Sequence, residues 1–330
     1  TGWRTIEEIV AIAEKIAPVS LSAAPEFRAA IARGAEFVDR RLAEEGAIYG
    51  VTTGFGDSCT VAIQPELIAE LPRHLYTFHG CGLGAHFTPI ETRAVIATRL
   101  TSLCKGYSGV SVQLLEQLVR LLVEDILPAI PCEGSVGASG DLTPLSYLAA
   151  VLSGEGEVWR AGAVIGAASA LAEAGITPLR LRPKEALAIM NGTAVMTALS
   201  CLCYVRAEYL ARLTTRISAL ASFALDSNAE HFDATLFSVK PHPGQQAIAA
   251  WLRQDLPIQT GAADGRRLQD RYSIRCAPHV IGVLADALPW LRSYIENELN
   301  SANDNPIIDG EGERVLHGGH FYGGHIAFAM

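Results

Sequence analysis

The stretch GSVGASGDLTPLSYLAA, residues 134–150, combines loop and helix signals. Gly134 and Gly137 precede the tripeptide Ala138-Ser139-Gly140, which contains the third glycine and stands shortly before an apolar segment. Leucines at 142, 145 and 148 recur close to the spacing of one helical face, so the stretch predicts a flexible loop that leads into a buried helix. Ser139 or Asp141 is the expected N-cap of that helix.

The same tripeptide has the composition that backbone cyclisation requires. In that reaction the Gly140 amide nitrogen attacks the Ala138 carbonyl carbon, and two waters leave, the second from the Ser139 side chain. Gly140 has no Cβ to hinder its nitrogen, and Ala138 leaves the carbonyl uncrowded. Loss of the Ser139 hydroxyl creates an exocyclic methylidene, which is a strong electrophile. A bare tripeptide of this kind is more often only a turn.

Helical periodicity dominates the rest of the chain. The apolar residues Leu115, Leu118, Leu122 and Ile126 follow one helical face in steps of 3, 4 and 4. Residues 88–91 (Thr-Pro-Ile-Glu) form a capping box with a proline at the first helical position, and Lys105-Gly106 ends the same helix. Further helices are expected over 25–45 and from 191 to about 229, the second being apolar nearly all round, as in a helical bundle.

Strand signals are few. They predict a strand over 48–53 and a small hairpin over 157–165 that turns at Ala161-Gly162. We therefore expect a mainly α fold with an N-terminal domain over 1–182, which carries short strands and the Ala138–Gly140 loop. A bundle of long helices is expected over 183–330.

Composition narrows the class of protein. The net charge of −9 over 330 residues argues against a nucleic-acid partner, which needs clustered basic residues. The N-terminus shows no signal-peptide pattern, and no uninterrupted apolar run approaches the roughly 20 residues of a membrane span. The seven cysteines form no CxxC pair and indicate reduced core thiols, hence a cytoplasmic protein with no membrane partner.

Glycines upstream of Ala138 and the tail Asp141-Leu142-Thr143-Pro144 give the tripeptide its context. With them the stretch resembles the cyclised motif of the aromatic amino acid ammonia-lyases, the histidine, phenylalanine and tyrosine ammonia-lyase family. The resemblance covers essentially the whole chain. It implies the fumarase/aspartase-like fold and a 4-methylidene-imidazole-5-one (MIO) group, formed autocatalytically from Ala138, Ser139 and Gly140.

Three further blocks carry the resemblance. YGVTTGFG, residues 49–56, is similar to the family's mobile inner loop, which implies that Tyr49 is the catalytic base. Asn191-Gly192-Thr193 resembles the block whose asparagine contacts the MIO group and the substrate amine; the same asparagine also suits a helix N-cap. Gln269 to Cys276 matches a signature that implies a catalytic Tyr272 and two substrate-binding residues, Gln269 and Arg275. The planar guanidinium of Arg275 suits a carboxylate.

The last blocks lie towards the C-terminus. Asn300–Pro306 and His317–Phe321 resemble family segments that place Asn305 near the active site and Phe321 beside the MIO ring. His320 stands where the family usually has asparagine. No metal is expected, because no carboxylate or cysteine is suitably spaced from His317, His320 and His325.

The resemblance implies non-oxidative elimination of ammonia from an aromatic L-amino acid, with Tyr49 removing the β-proton. It also implies a homotetramer whose active sites draw on three subunits. Phe78-His79 aligns with the family's aryl pocket, where His79 offers a hydrogen bond and Phe78 an apolar face. This pair favours tyrosine, giving 4-coumarate, over histidine, giving urocanate, and places phenylalanine, giving cinnamate, third.

Three alternative functions differ from this one in their chemistry or in the residues they require. An aromatic amino acid 2,3-aminomutase would use the same MIO group and return ammonia to the β-carbon. A serine hydrolase would need Gly-x-Ser-x-Gly, which neither 137–140 nor 106–109 provides. A non-catalytic helical scaffold would leave the co-occurring blocks unexplained. The chain ends within an apolar helical pattern at 325–330, so a C-terminal part that completes the site is expected to be missing, and residues 1–330 alone are expected to be inactive.

Overall fold

The computed structural model describes residues 2–44, 46–256 and 267–330. About 57% of the chain is helical and strands are few, which confirms the mainly α prediction. The chain forms two compact units, one comprising Thr1–Leu202 with Ile295–Met330 and the other Cys203–Tyr294. The domain boundary placed near Pro183 stays a prediction.

Helices of short to medium length make up most of the first unit. Their bounds are α1 Ile6–Ala13, α2 Pro25–Ala43, α3 Pro65–Ile68, α4 Leu71–His79, α5 Pro89–Leu103, α6 Val112–Val123, α7 Leu142–Leu152, α8 Ala167–Glu173 and α9 Glu185–Met190. The helix predicted over 25–45 is thus α2, and Glu45 itself lies outside the described residues. The capping box before α5 is confirmed, because Thr88 Oγ1 accepts from Glu91 N while a Glu91 carboxylate oxygen accepts from Thr88 N.

The remaining helices include the two longest. They are α10 Ala194–Ala224, α11 Ala234–Ser238, α12 Pro243–Asp255, α13 Tyr272–Arg275, α14 Ala277–Leu299 and α15 Gly324–Ala329. The long helix predicted from 191 therefore begins three residues later and ends earlier than residue 229. Within the second unit, Phe232, Ile248, Leu252 and Ile281 form a buried apolar cluster that stabilises it by removing hydrocarbon from water.

The strands form small antiparallel sheets. Their bounds are β1 Leu83–His86, β2 Leu127–Pro128, β3 Pro131–Glu133, β4 Glu157–Arg160, β5 Ala163–Gly166, β6 Ile307–Asp309 and β7 Arg314–Leu316. β1 pairs with β3, β6 pairs with β7, and the third sheet has the order β2-β4-β5. The hairpin predicted to turn at Ala161-Gly162 is confirmed by the pairing of β4 with β5.

The strand predicted over 48–53 is wrong. The amides of Val51 and Thr52 both donate to the Ile48 carbonyl, at 3.1 and 2.9 Å, so this segment is a turn. The chain then closes a loop, in which Ile63 N donates to Thr52 O and Gly54 N donates to Val61 O. The β-branched and aromatic residues of this segment lie in a compact loop and not in a sheet, because tertiary packing overrides their local strand propensity.

The core of the first unit surrounds α5. This helix packs against α1, α6 and α9, and residues on every side of it are buried, including Arg93 and Arg99. A helix buried all round usually carries only apolar and small side chains, so two buried arginines require specific partners.

Of two composition-based expectations, on membrane spans and on the cysteines, only the second needs correction. By length and composition, Glu185–Ala224 could cross a membrane, although 83% of its most apolar window is buried inside the protein, as in a core helix. All seven cysteines are free thiols, but Cys59, Cys81, Cys132 and Cys203 are exposed, so the prediction of core thiols holds for only part of the set.

Candidate active site

The loop at residues 134–140 joins β3 to α7, and its far end is fixed by Asp141. One Asp141 carboxylate oxygen accepts from the backbone amides of Val195 and Met196, at 2.9 and 3.0 Å. The other accepts from the Ser135 hydroxyl at 2.7 Å. The carboxylate therefore satisfies two of the unpaired amides in the first turn of α10, where the helix dipole favours negative charge.

These contacts correct the N-cap predicted at the start of α7. Asp141 occupies the cap position, yet no side-chain capping bond is made to α7, because the carboxylate serves α10 instead. Burial raises the pKa of Asp141 above its ordinary value, although its hydrogen bonds favour the ionised form.

Asn191 links the loop to the rest of the site. Its Nδ2 donates to the Ser139 carbonyl oxygen at 2.7 Å, and its Oδ1 accepts from the backbone amide of Asn305 at 2.7 Å. The Gly192 carbonyl accepts from the Asp141 amide at 2.7 Å. Asn191 is the C-cap residue of α9, and its side chain spans two loops, so the alternative role as side-chain N-cap of α10 is wrong.

The backbones of Gly140 and Gly192 are in direct contact. Gly140 has φ +79°, and a Cβ added to it would lie 2.5 Å from both the nitrogen and the oxygen of Gly192. Ala138 and Ser139 are exposed, whereas Gly140 and Gly192 are buried. The tripeptide thus has an exposed tip on a tightly held base. This arrangement fits an MIO group, because the buried Gly140 has no room for a Cβ and the residue that would supply the electrophilic carbon, Ser139, is exposed.

Tyr49 lies in the closed loop that follows Ile48. Its hydroxyl accepts from the Gly56 amide at 2.7 Å, and its ring meets the rings of Phe55 and His317 edge to face, at centroid distances of 6.4 and 6.5 Å. Next to His317, the Gly318 amide donates to Asn305 Oδ1 at 2.9 Å. Contacts therefore run from Tyr49 through the 317–318 segment and Asn305 to Asn191 and Ser139.

A buried polar layer lies beneath these loops. Lys184 Nζ and Asp304 Oδ2 form a fully buried ion pair at 2.5 Å, and Ser108 donates to the other Asp304 oxygen at 2.8 Å. Burial lowers the pKa of Lys184, while Asp304 acts in the opposite direction. Thr193 donates to Glu298, whose pKa is raised by burial.

Arg99 and Asn303 belong to the same layer. Arg99 Nη1 donates to the Asn191 carbonyl oxygen at 3.2 Å and to Asn303 Oδ1 at 3.0 Å. Burial lowers the pKa of Arg99, and the nearby carboxylates of Asp304 and Asp141 act against that shift.

Phe78 and His79 stand at the end of α4. Phe78 is 81% exposed and meets the His79 ring edge to face, at 5.2 Å between centroids. His79 Nδ1 lies 2.9 Å from the Leu75 carbonyl oxygen, which only accepts, so Nδ1 carries the hydrogen. In the neutral ring Nε2 is then an acceptor. After α4, β1 pairs with β3, the strand that enters the 134–140 loop.

Gln269, Tyr272 and Arg275 belong to the second unit. Tyr272 and Arg275 share α13, where the guanidinium carbon lies 4.6 Å from the Tyr272 ring centroid. Arg275 Nε donates to the Asp270 carbonyl at 3.0 Å, and Gln269 precedes the helix with an exposed side chain. Their roles stay predictions, as does that of the half-buried Phe321. In the described parts of the chain, no group of three or more His, Cys, Asp or Glu side chains is placed to hold a metal ion.

The first unit thus brings together Ser139, Asn191 and Asn305, and connects Tyr49 to them through His317. Sequence reasoning missed the layer beneath, above all Arg99. The sequence offered only an arginine, one of two within α5, which could equally have faced solvent.

Comparison with known proteins defines the class. Residues 4–330 match the family described as aromatic amino acid lyase. A histidine ammonia-lyase from Shouchella clausii is 39% identical over 329 residues, covering 99% of this chain and 65% of the relative. The chain belongs to the aromatic amino acid lyase family, as its motifs predicted.

Solved structures agree. A tyrosine aminomutase from Streptomyces globisporus matches with a TM-score of 0.88 at 37% identity, over 99% of this chain and 65% of that one. A histidine ammonia-lyase from Trypanosoma cruzi matches with a TM-score of 0.86 at 33% identity, over 99% of this chain and 62% of that one. The chain therefore spans just under two thirds of the length of these relatives.

Proposed function

We propose that this chain provides the electrophile and base of an aromatic amino acid ammonia-lyase. The observation that carries the proposal is the bond from Asn191 Nδ2 to the Ser139 carbonyl oxygen, together with the contact between Gly140 and Gly192. Both features hold Ala138–Gly140 as a confined turn with an exposed tip. Family membership adds the chemistry that such a turn performs.

Ring formation removes two waters from the chain and needs no external oxidant. A bond forms between Gly140 N and the Ala138 carbonyl carbon, and the first water carries away that carbonyl oxygen with the amide hydrogens of Ser139 and Gly140. The second water takes the Ser139 hydroxyl and its Cα hydrogen. The resulting MIO group would supply an electrophilic carbon that accepts the substrate amine and makes it a better leaving group.

Asn191 would polarise this electrophile. The Ser139 carbonyl oxygen would remain as the ring carbonyl, conjugated to the methylidene carbon, and the Asn191 amide donates to it at 2.7 Å. A positioned donor at an oxygen that gains negative charge stabilises the transition state. The first turn of α10 contributes by holding the Asp141 carboxylate, which fixes the end of the loop.

Tyr49 and Arg275 complete the proposed assignment. Tyr49 would remove the β-proton, and the Gly56 amide holds its hydroxyl in one orientation. Arg275 would bind the substrate carboxylate through its terminal nitrogens, because its Nε is committed to Asp270. By the family resemblance, Gln269 and Phe321 would bind substrate and Tyr272 would act in catalysis. We place the assembled enzyme in the cytoplasm as a homotetramer whose sites draw residues from several subunits.

His79 directs the choice of substrate. Its Nε2 is an acceptor, so it would receive the N–H of an imidazole or the O–H of a phenol, and a phenyl ring has neither. L-histidine and L-tyrosine are therefore proposed ahead of L-phenylalanine. The comparisons do not support the predicted preference for tyrosine over histidine, since the curated relative described above is a histidine ammonia-lyase.

A 2,3-aminomutase is the second candidate, because a tyrosine aminomutase is among the similar structures. The two functions share the electrophile and differ in the fate of the ammonia. Product analysis separates them: a lyase releases arylacrylate and ammonia, whereas a mutase yields a β-amino acid.

The test compares the full-length wild-type protein with two variants. Ser139→Ala removes the proposed MIO precursor, and Ser153→Ala, at the far end of α7, is the matched control. We expect wild type and Ser153→Ala to have an intact mass two waters below the sequence mass and to form an ultraviolet-absorbing acrylate. Ser139→Ala should keep the unmodified mass and lose turnover. An unmodified mass in active wild-type protein would refute the proposal. Histidine, tyrosine and phenylalanine offered separately would rank the substrates, and His79→Leu should shift the ratio towards phenylalanine.

A further inference from the structure

Arg99 is a fully buried arginine near the middle of α5. Its hydrogen-bond partners are all uncharged: the Asn191 carbonyl, the Asn303 side-chain oxygen and, at 3.4 Å, the Ser102 hydroxyl. Its Nε has no hydrogen-bond partner among the described residues. A guanidinium in this state is costly, because burial removes the water that stabilises its charge.

The nearby carboxylates favour the charge of Arg99 but accept none of its hydrogen bonds. Asp141 is committed to Ser135 and the first amides of α10, and Asp304 is committed to Lys184 and Ser108. Both act on Arg99 through their electric fields, and its hydrogen bonds go elsewhere. A methionine of similar length would fill this space without the desolvation cost.

Arg99 holds both residues that flank Gly192, one of them directly and the other through Asn303. Nη1 holds the Asn191 carbonyl directly, and it holds Asn303, whose Nδ2 donates to Thr193 Oγ1 at 2.8 Å. Gly192 lies between these anchors, and its backbone nitrogen and oxygen are the atoms that a Cβ on Gly140 would meet, at 2.5 Å. A side chain on Gly192 would collide with the Arg99 guanidinium and with Asn303. The order through the protein is therefore Arg99, then Gly192, then Gly140.

We propose that Arg99 is a positioning residue for the Ala138–Gly140 turn. Its planar guanidinium fixes the Asn191–Thr193 corner, so that Gly192 confines Gly140 and Asn191 Nδ2 stays aimed at the Ser139 carbonyl oxygen. Arg99 thereby sets how fast the tripeptide cyclises and how well the finished site turns over. This inference rests on the proposed function, since it assigns Arg99 a part in making and holding the electrophile.

The chain offers a matched control on the same helix. Arg93 is also buried in α5, but it donates to the Ala13 carbonyl at 3.1 Å and lies 3.4 Å from Asp125, so these contacts belong to another part of the unit. Arg93→Met removes a buried guanidinium without touching the 191–193 corner. Arg99→Met removes the contact, and Arg99→Lys keeps the positive charge but loses the planar fork.

Each variant is made in the natural polypeptide by cell-free synthesis, and intact mass is followed with time to give the rate of the two-water loss. We expect Arg99→Met and Arg99→Lys to cyclise on the order of 100-fold more slowly than wild type, as a misplacement of about 1 Å does to oriented reactions. The fraction that has cyclised should show a lower kcat with little change in KM. Arg93→Met should cyclise at the wild-type rate even if its melting temperature falls as far as those of the Arg99 variants.

Three results would overturn the proposal: Arg99→Lys and Arg99→Met that cyclise at the wild-type rate, an Arg93→Met variant that slows cyclisation equally, or rates that follow melting temperature alone across the set. If Arg99→Met does not fold, the comparison of Arg99→Lys with Arg93→Met decides. A wild-type protein that never loses two waters would refute the proposed function itself, which is a different outcome from any of these.

Discussion

Two glycine-containing loops of the first unit are held in opposite ways. The loop after Ile48 is closed mainly by its own backbone bonds, such as Gly54 N to Val61 O, and the Tyr49 hydroxyl is held from within it by Gly56. The loop that carries Ser139 depends on residues distant in sequence, because Asn191 and the amides of α10 hold its carbonyl and its terminal carboxylate.

The difference matches the proposed chemistry of each loop. A base that must reach substrate and release product benefits from a self-contained loop that moves as one body. A backbone that must attack itself needs confinement supplied from outside, since a free chain has many competing conformations. External support is therefore expected to matter most for the Ser139 loop.

Glycine-to-alanine substitution should have its largest effect in the Ser139 loop, at Gly140, and its smallest in the Tyr49 loop, at Gly56. Gly140→Ala combines a positive φ, costing about 1–2 kcal/mol, with overpacking against Gly192 that costs about 1–3 kcal/mol more. We expect a large fall in the free energy of unfolding and no two-water loss, measured by denaturant titration and intact mass. Full cyclisation of this variant would show that the contact with Gly192 is dispensable.

Tyr49→Phe addresses the self-contained loop. Removal of the proposed base should lower kcat by about two to four orders of magnitude, while the two-water loss proceeds normally. Tyr147→Phe is the control, because the Tyr147 hydroxyl also accepts a glycine amide, from Gly82 at 3.0 Å. Steady-state kinetics of both variants would separate lost chemistry from a lost hydrogen bond, and equal losses would contradict the role of Tyr49.

Asn191→Ala removes the external support at the Ser139 carbonyl. Loss of one positioned donor costs on the order of 10²–10³ in kcat, and cyclisation should also slow. Asn300→Ala serves as control, since Asn300 Nδ2 donates to the carbonyls of Arg4 and Glu296. If turnover per cyclised site is unchanged in Asn191→Ala, the polarising role of Asn191 is wrong.

The smallest effect is expected for Gly56→Ala. Gly56 has φ +57°, and a Cβ there would meet nothing within 4 Å, so the cost should be limited to the backbone term of about 1–2 kcal/mol. Cyclisation should be unaffected, and kcat should change little. A loss as large as that of Gly140→Ala would show that both loops depend on close packing.

Features set by neighbours in sequence were the predictable ones. Thr88 and Glu91 cap α5 within three residues, and Ala161-Gly162 turns a hairpin between adjacent strands. The glycines around Ser139 also predicted a loop before α7, and residues 134–140 form one.

Errors arose where the deciding partner is remote. Asp141 carries the local signal of a cap for α7 but bonds to amides 54 and 55 residues away. Arg99 could not be recognised as a site residue, because its partners Asn191 and Asn303 lie 92 and 204 residues further on. Periodicity shows that a residue is buried, but it does not show which polar atom it meets.

The long sequence separations around Ser139 have a consequence for biosynthesis. Asn191 follows Ser139 by 52 residues, and the amide that holds the Asn191 side chain belongs to Asn305, another 114 residues on. A ribosome must therefore synthesise most of this chain before the turn is clamped from both sides. On the proposed chemistry, a nascent or misfolded chain carries an ordinary serine, and the reactive carbon arises only in molecules that have folded.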